Sequence, residues 1–103
     1  MTIKLGSVTT GINGAVISSV TTATPITATR LSNGETLPFP LSITLTPGAS
    51  GTLLAEYRTS ATGAWVACPV GTASAVTTFV VNGPTQALRF TAGTSTGTVE
   101  IAR

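Results

Sequence analysis

Leu41-Ser42-Ile43-Thr44-Leu45-Thr46, closed by Pro47-Gly48, decides the fold class of this chain. Leu41, Ile43 and Leu45 alternate with Ser42, Thr44 and Thr46. That two-residue period sends one row of side chains into a core and the other toward solvent, as a half-buried strand requires. Pro38 and Pro40 precede the run. Proline donates nothing to a sheet ladder, so this approach reads as extended but unpaired, or at an edge.

The same alternation recurs downstream. Over residues 52–59, Leu53, Ala55 and Tyr57 share one face, while Leu54, Glu56 and Arg58 share the other. Ser60-Ala61-Thr62-Gly63 is a turn with its glycine late, as short hairpin loops prefer. Ala64-Trp65-Val66-Ala67-Cys68 then reads as the partner strand, ending at Pro69. Residues 75–81, 86–92 and 98–102 supply three more strands, separated by Asn82-Gly83-Pro84 and by a Thr/Ser loop from Gly93 to Gly97. Leu88 and Phe90 point inward with Arg89 outward; Val99 and Ile101 point inward with Glu100 outward. No window sustains the apolar spacing of an amphipathic helix.

These strands at Gly/Pro-punctuated spacing predict an all-β protein, an antiparallel β-sandwich of immunoglobulin-like or jelly-roll-like kind. The predicted core is Leu41, Ile43, Leu45, Trp65, Phe79, Leu88, Phe90, Val99 and Ile101. In the first third, residues 2–5, 15–20 and 26–31 have strand character. Gly11-Ile12-Asn13-Gly14 and Ser32-Asn33-Gly34 are turn signals. Residues 1–22 are open between strands of the domain and an extended N-terminal arm lying on a neighbour.

A chain of 103 residues is one domain's worth, residues 1–103 forming a single sandwich. Charged residues make up only 8%, against about 25% in ordinary soluble domains. A threonine-rich, charge-poor surface is weakly defended against association, so assembly with other subunits is expected. The cations Lys4, Arg30, Arg58, Arg89 and Arg103 are scattered along the chain. Nucleic-acid binding wants them clustered, so neither nucleic acid nor membrane is an expected partner. The opening residues, Met1-Thr2-Ile3-Lys4-Leu5-Gly6, lack an apolar signal region, and no stretch has the length of a helical membrane span. Cytoplasmic synthesis is expected, and the lone Cys68 reads as a small buried hydrophobe.

Missing chemistry is equally informative. The chain has no histidine and no aspartate, which removes Ser-His-Asp and Cys-His catalysis. It also removes the usual zinc and calcium ligand sets. Glu35, Glu56 and Glu100 are the only acids, assigned to a turn and to two outward strand positions, so a converging catalytic pair is not expected. Neither Gly11-Ile12-Asn13-Gly14 nor Gly93-Thr94-Ser95-Thr96-Gly97 is followed by the lysine and helix of a phosphate loop. No catalytic residue, metal or cofactor is therefore expected, and the chain reads as a non-enzyme. Tyr57 and Trp65 are assigned to packing ahead of a sugar platform. Among the charges, Glu56 and Arg58 project from one strand face. Arg89 and Glu100 are expected to oppose each other across a hairpin, either as a surface pair or as a subunit contact.

Leu41–Gly48, the stretch Leu54-Ala55-Glu56-Tyr57-Arg58-Thr59-Ser60 with Trp65 beyond it, and Asn82-Gly83-Pro84-Thr85-Gln86-Ala87-Leu88-Arg89-Phe90 together resemble small virion proteins of tailed phages. Their strand–turn cadence is also similar to immunoglobulin-like and fibronectin-III-like sandwiches, although the paired cysteines of antibody domains are missing. The resemblance spans about residues 41–102 and rests on strand and turn patterns. It implies a head decoration or cement protein that binds the major capsid protein on the outside of an assembled shell. It also implies self-association, a homotrimer ahead of a homodimer. It carries over no individual contact residue. An adhesive, receptor-binding or carbohydrate-binding module of a fibre or tail is the alternative. An accessory or inhibitor domain is a third reading on which the sequence is silent. The N-terminal segment and the loops around Asn33, Gly48 and Gly83 are the expected contact regions.

Overall fold

In a computed structural model of the protein, residues 3–6, 8–10, 15–22, 25–30, 37 and 39–102 are described. The turns at Gly11–Gly14 and Ser32–Gly34, Glu35, and the contact region around Asn33 lie outside them. The described residues form ten strands: β1 (Ile3–Leu5), β2 (Val8–Thr10), β3 (Ala15–Val20), β4 (Ile26–Arg30), β5 (Leu41–Thr46), β6 (Leu53–Arg58), β7 (Val66–Ala73), β8 (Thr77–Val81), β9 (Ala87–Ala92) and β10 (Gly97–Ala102). No described residue is helical. The protein is an all-β sandwich of two antiparallel sheets.

One sheet has six strands in the order β2-β1-β4-β9-β6-β7, and the other four in the order β3-β10-β5-β8. Alternation does what the sequence requires of it. β5 runs buried–exposed in strict register, with Leu41, Ile43 and Leu45 fully buried. β10 contributes Val99 and Ile101, and β9 contributes Leu88 and Phe90, all fully buried. The first third joins the sheets: β3 pairs with β10 along all six of its residues, and Ile3, Leu5, Val16 and Val20 enter the core.

Two predicted core residues differ. Phe79 is only half-buried, packed against the core from β8, an outer strand of the smaller sheet. Trp65 is not in the core at all. It precedes β7 rather than belonging to it, and its ring lies against arginines on the outside of the larger sheet.

β7 also departs from expectation, because it continues through Pro69 instead of ending there. The pairing explains this. Leu54 faces Thr72 and Glu56 faces Ala67, so residues 68–71 bulge out opposite the single residue Ala55. β7 is an outer strand, where a missing N–H is tolerated. Gly71, at φ +67°, takes the left-handed conformation the bulge needs.

Candidate functional site

The outer face of the six-stranded sheet gathers most of the charged side chains among the described residues: Lys4, Glu56, Arg58 and Arg89. Its geometry follows from register. Lys4 is opposite Thr29, Thr29 opposite Ala87, and Ala87 opposite Arg58, which makes one row across β1, β4, β9 and β6. In the next row Thr27 is opposite Arg89, Arg89 opposite Glu56, and Glu56 opposite Ala67. Strand alternation turns both rows away from the core. Ala87 is fully buried yet absent from the core cluster, so the long side chains beside it cover it from outside.

Arg58 and Arg89 meet at Trp65. Each guanidinium carbon lies 4.6 Å from the centre of the indole ring, within the range of a cation–π contact. Each is also held by a hydrogen bond. Arg58 donates from Nε to Oε1 of Gln86 at 2.7 Å. Arg89 donates from Nε and one terminal nitrogen to Oε1 of Glu56, at 3.1 and 2.9 Å. The turn at Ser60–Gly63, closed by the Gly63 N–H donating to the Ser60 carbonyl at 3.0 Å, returns the chain so that Trp65 comes back over β6.

The expected Arg89–Glu100 pair is not formed. Arg89 is on β9 of the larger sheet and Glu100 on β10 of the smaller one, facing the opposite side of the sandwich. Arg89 pairs with Glu56 instead. For the same reason Glu56 and Glu100 do not converge. Tyr57 and Trp65 do not form a joint platform either: Tyr57 packs against the core, while at least one face of the indole is taken by guanidinium.

The chain matches no family model, no curated protein and no solved structure.

A second feature is an apolar cleft of about 270 Å³, lined by Tyr57, Cys68, Phe79, Val81 and Pro84, among others. Cys68 is buried there, and burial, with a smaller contribution from the Glu56 carboxylate, pushes its thiol up to about 11. The thiolate is the reactive form, so at pH 8 the native thiol is expected to react with a disulfide reagent about a hundredfold more slowly than an unfolded control. Equal rates in the two states would contradict the burial. Burial favours the neutral thiol over the thiolate. Folding gains nothing from this group below its ordinary value of 9.0 and loses stability as pH rises from there toward about 11.

The outer face of the four-stranded sheet differs in kind. Ile17, Glu100, Thr44 and Thr78 form its middle row, and Ala15, Ala102, Ser42 and Val80 the row beside it. Glu100 is its only charge among the described residues. Ile17 and Val80 are each more than half exposed, at 55% and 51%. Thr44 and Thr78 bridge their hydroxyls at 3.0 Å.

Proposed function

We propose that this protein is a structural component of a tailed-phage virion, a head decoration or cement protein. It is made in the host cytoplasm and adds, without any chemical step, to the outside of an assembled capsid. The observation that carries the reading is the surface of the smaller sheet. Two exposed aliphatic side chains, a field of hydroxyls and one carboxylate make a face poorly suited to a solitary soluble domain and well suited to burial against other subunits. β8 supports the same reading. It is one of the two outer strands of that sheet, carries no charge, and contains none of the prolines that blunt such edges. On this reading the partners are the major capsid protein and the chain itself, a trimer ahead of a dimer. The resemblance of residues 41–102 to small virion proteins directs the choice among assemblies.

An adhesive module would use an open aromatic platform. Trp65 does reach the surface, but its guanidinium neighbours and the inward turn of Tyr57 weigh against that use. The test is co-sedimentation with heads assembled without the protein. It is expected to pellet with them as an oligomer. A strictly monomeric chain that stays in the supernatant yet binds a glycan or host receptor would overturn the proposal.

A further inference from the structure

We infer that the outer face of the six-stranded sheet docks a protein surface rich in carboxylates, with Arg58 and Arg89 as its anchors and Lys4 as an outlying contact. The inference deepens the proposal above, resting on the reading that this chain works by binding other proteins, and adds a second contact face opposite the hydroxyl-rich one of the smaller sheet.

Charge placement is the first support. Lys4, Arg58 and Arg89 are far apart in sequence, but strand register brings them to one side of one sheet. Among the described residues, Glu56 is the only acid beside them, and Glu100 is the only charge on the opposite face of the sandwich. The molecule is therefore polarised across its thickness, with the cationic side the one that complements acidic partners. Lys4 and Arg58 are three strand spacings apart, roughly 14 Å, a span suited to several carboxylates rather than one small anion.

Preorganisation is the second. Stacking on Trp65 and the bonds to Gln86 and Glu56 hold both guanidiniums before any partner arrives, so less side-chain freedom is lost on docking. A stacked guanidinium keeps its in-plane N–H groups available for carboxylate oxygens. The terminal nitrogens of Arg58 have no hydrogen-bond partner among the described residues.

Surroundings favour protein over nucleic acid. Thr27, Thr29, Thr91, Leu54 and Ala87 fill the face around the cluster. Arginine and tryptophan at the centre of a mostly uncharged patch are the usual anchors of protein interfaces. Backbone-tracking nucleic-acid sites use more cations than the surplus of two left after Glu56 is counted.

Trp65 is the only tryptophan in the chain, so its emission reports on this face alone. The purified chain is titrated with a synthetic peptide of alternating Glu and Ala, and separately with an oligothymidylate of matched charge. A saturable, salt-sensitive change with the peptide is expected. Calorimetry on variants, which does not depend on the indole, should show affinity falling roughly tenfold or more in Arg58→Gln with Arg89→Gln. It should fall less in the exposed Lys4→Gln and stay unchanged in Glu100→Gln. Circular dichroism confirms folding, and Lys4→Gln keeps the test open if the double variant does not fold. No response to the peptide, tighter binding of the oligonucleotide, or an equal loss in Glu100→Gln overturns the inference. So does undiminished decoration of heads by the double variant, an outcome that leaves the virion reading standing.

Discussion

Phe90→Ala lowers the unfolding free energy by about 3–5 kcal/mol, the largest effect expected of any single substitution in this chain. Phe90 is the largest fully buried side chain among the described residues. Its neighbours in register are Ile26 on β4 and Ala55 on β6, with Ala28 diagonal to it. Alanines cannot reach into the space a lost ring leaves, and the second sheet is held off by its own fully buried side chains, Leu41, Ile43, Leu45, Val99 and Ile101. The void therefore collapses little, which puts the loss in the upper part of the usual range. A domain of this size has only about 5–15 kcal/mol of stability, so the variant should unfold at a markedly lower urea concentration. Leu88→Ala, one step along the same inward row, is expected to lose about 2–5 kcal/mol. Urea midpoints unchanged in both variants would contradict the assignment of β9's inward face.

Gly48→Ala is expected to lose about 1–3 kcal/mol by overpacking, although it adds a single methyl. The loop after β5 is pressed against the loop before β10. The Gly51 N–H donates to the Gly48 carbonyl at 2.9 Å, the Ser95 hydroxyl to the Ala49 carbonyl at 3.3 Å, and the Thr94 hydroxyl to the Ser50 carbonyl at 3.0 Å. A Cβ at Gly48 would run into the backbone carbonyl oxygen of Thr96. Backbone cannot swing aside as a side chain can, so the two loops must separate and strain the bonds joining them. Gly83→Ala is the control. A Cβ there meets nothing within 4 Å, and the change should stay within about 0.5 kcal/mol. Thermal or urea unfolding of the two variants side by side checks the contrast. Equal stability of both would show that the loops are not in the contact described.

The strands were legible because period-2 alternation is local. Leu41 to Thr46 needs no knowledge of its neighbours to be read as a strand, and β5 has those bounds. Trp65 lies outside the core its sequence position suggests, for the opposite reason. Its place depends on where the chain re-enters the sheet after Ser60–Gly63, and on two arginines, one of them more than twenty positions away. The strand's passage through Pro69 is not legible in the sequence, because a bulge is a property of the pairing between β6 and β7 and not of either segment alone. Arg89 and Glu100 looked like hairpin partners from their spacing, but the chain changes sheets between β9 and β10. The same long-range pairing hid the candidate site. Lys4, Arg58 and Arg89 are scattered in sequence and gathered only by register. One signal was available: Arg58 and Arg89 both fall on outward positions of strands bounded by the same apolar pattern as the core. Which strands are neighbours was not available.

Imaging reads the proposed covering of a shell without an intermediate step. Purified protein is added to heads assembled without it, and the particles are recovered by sedimentation and imaged by electron cryomicroscopy. Added density at regular positions on the outer surface, each fitting an oligomer of the sandwich, is the expected result. Heads that remain bare under saturating protein, with the chain monomeric and bound to a glycan or receptor instead, would contradict it.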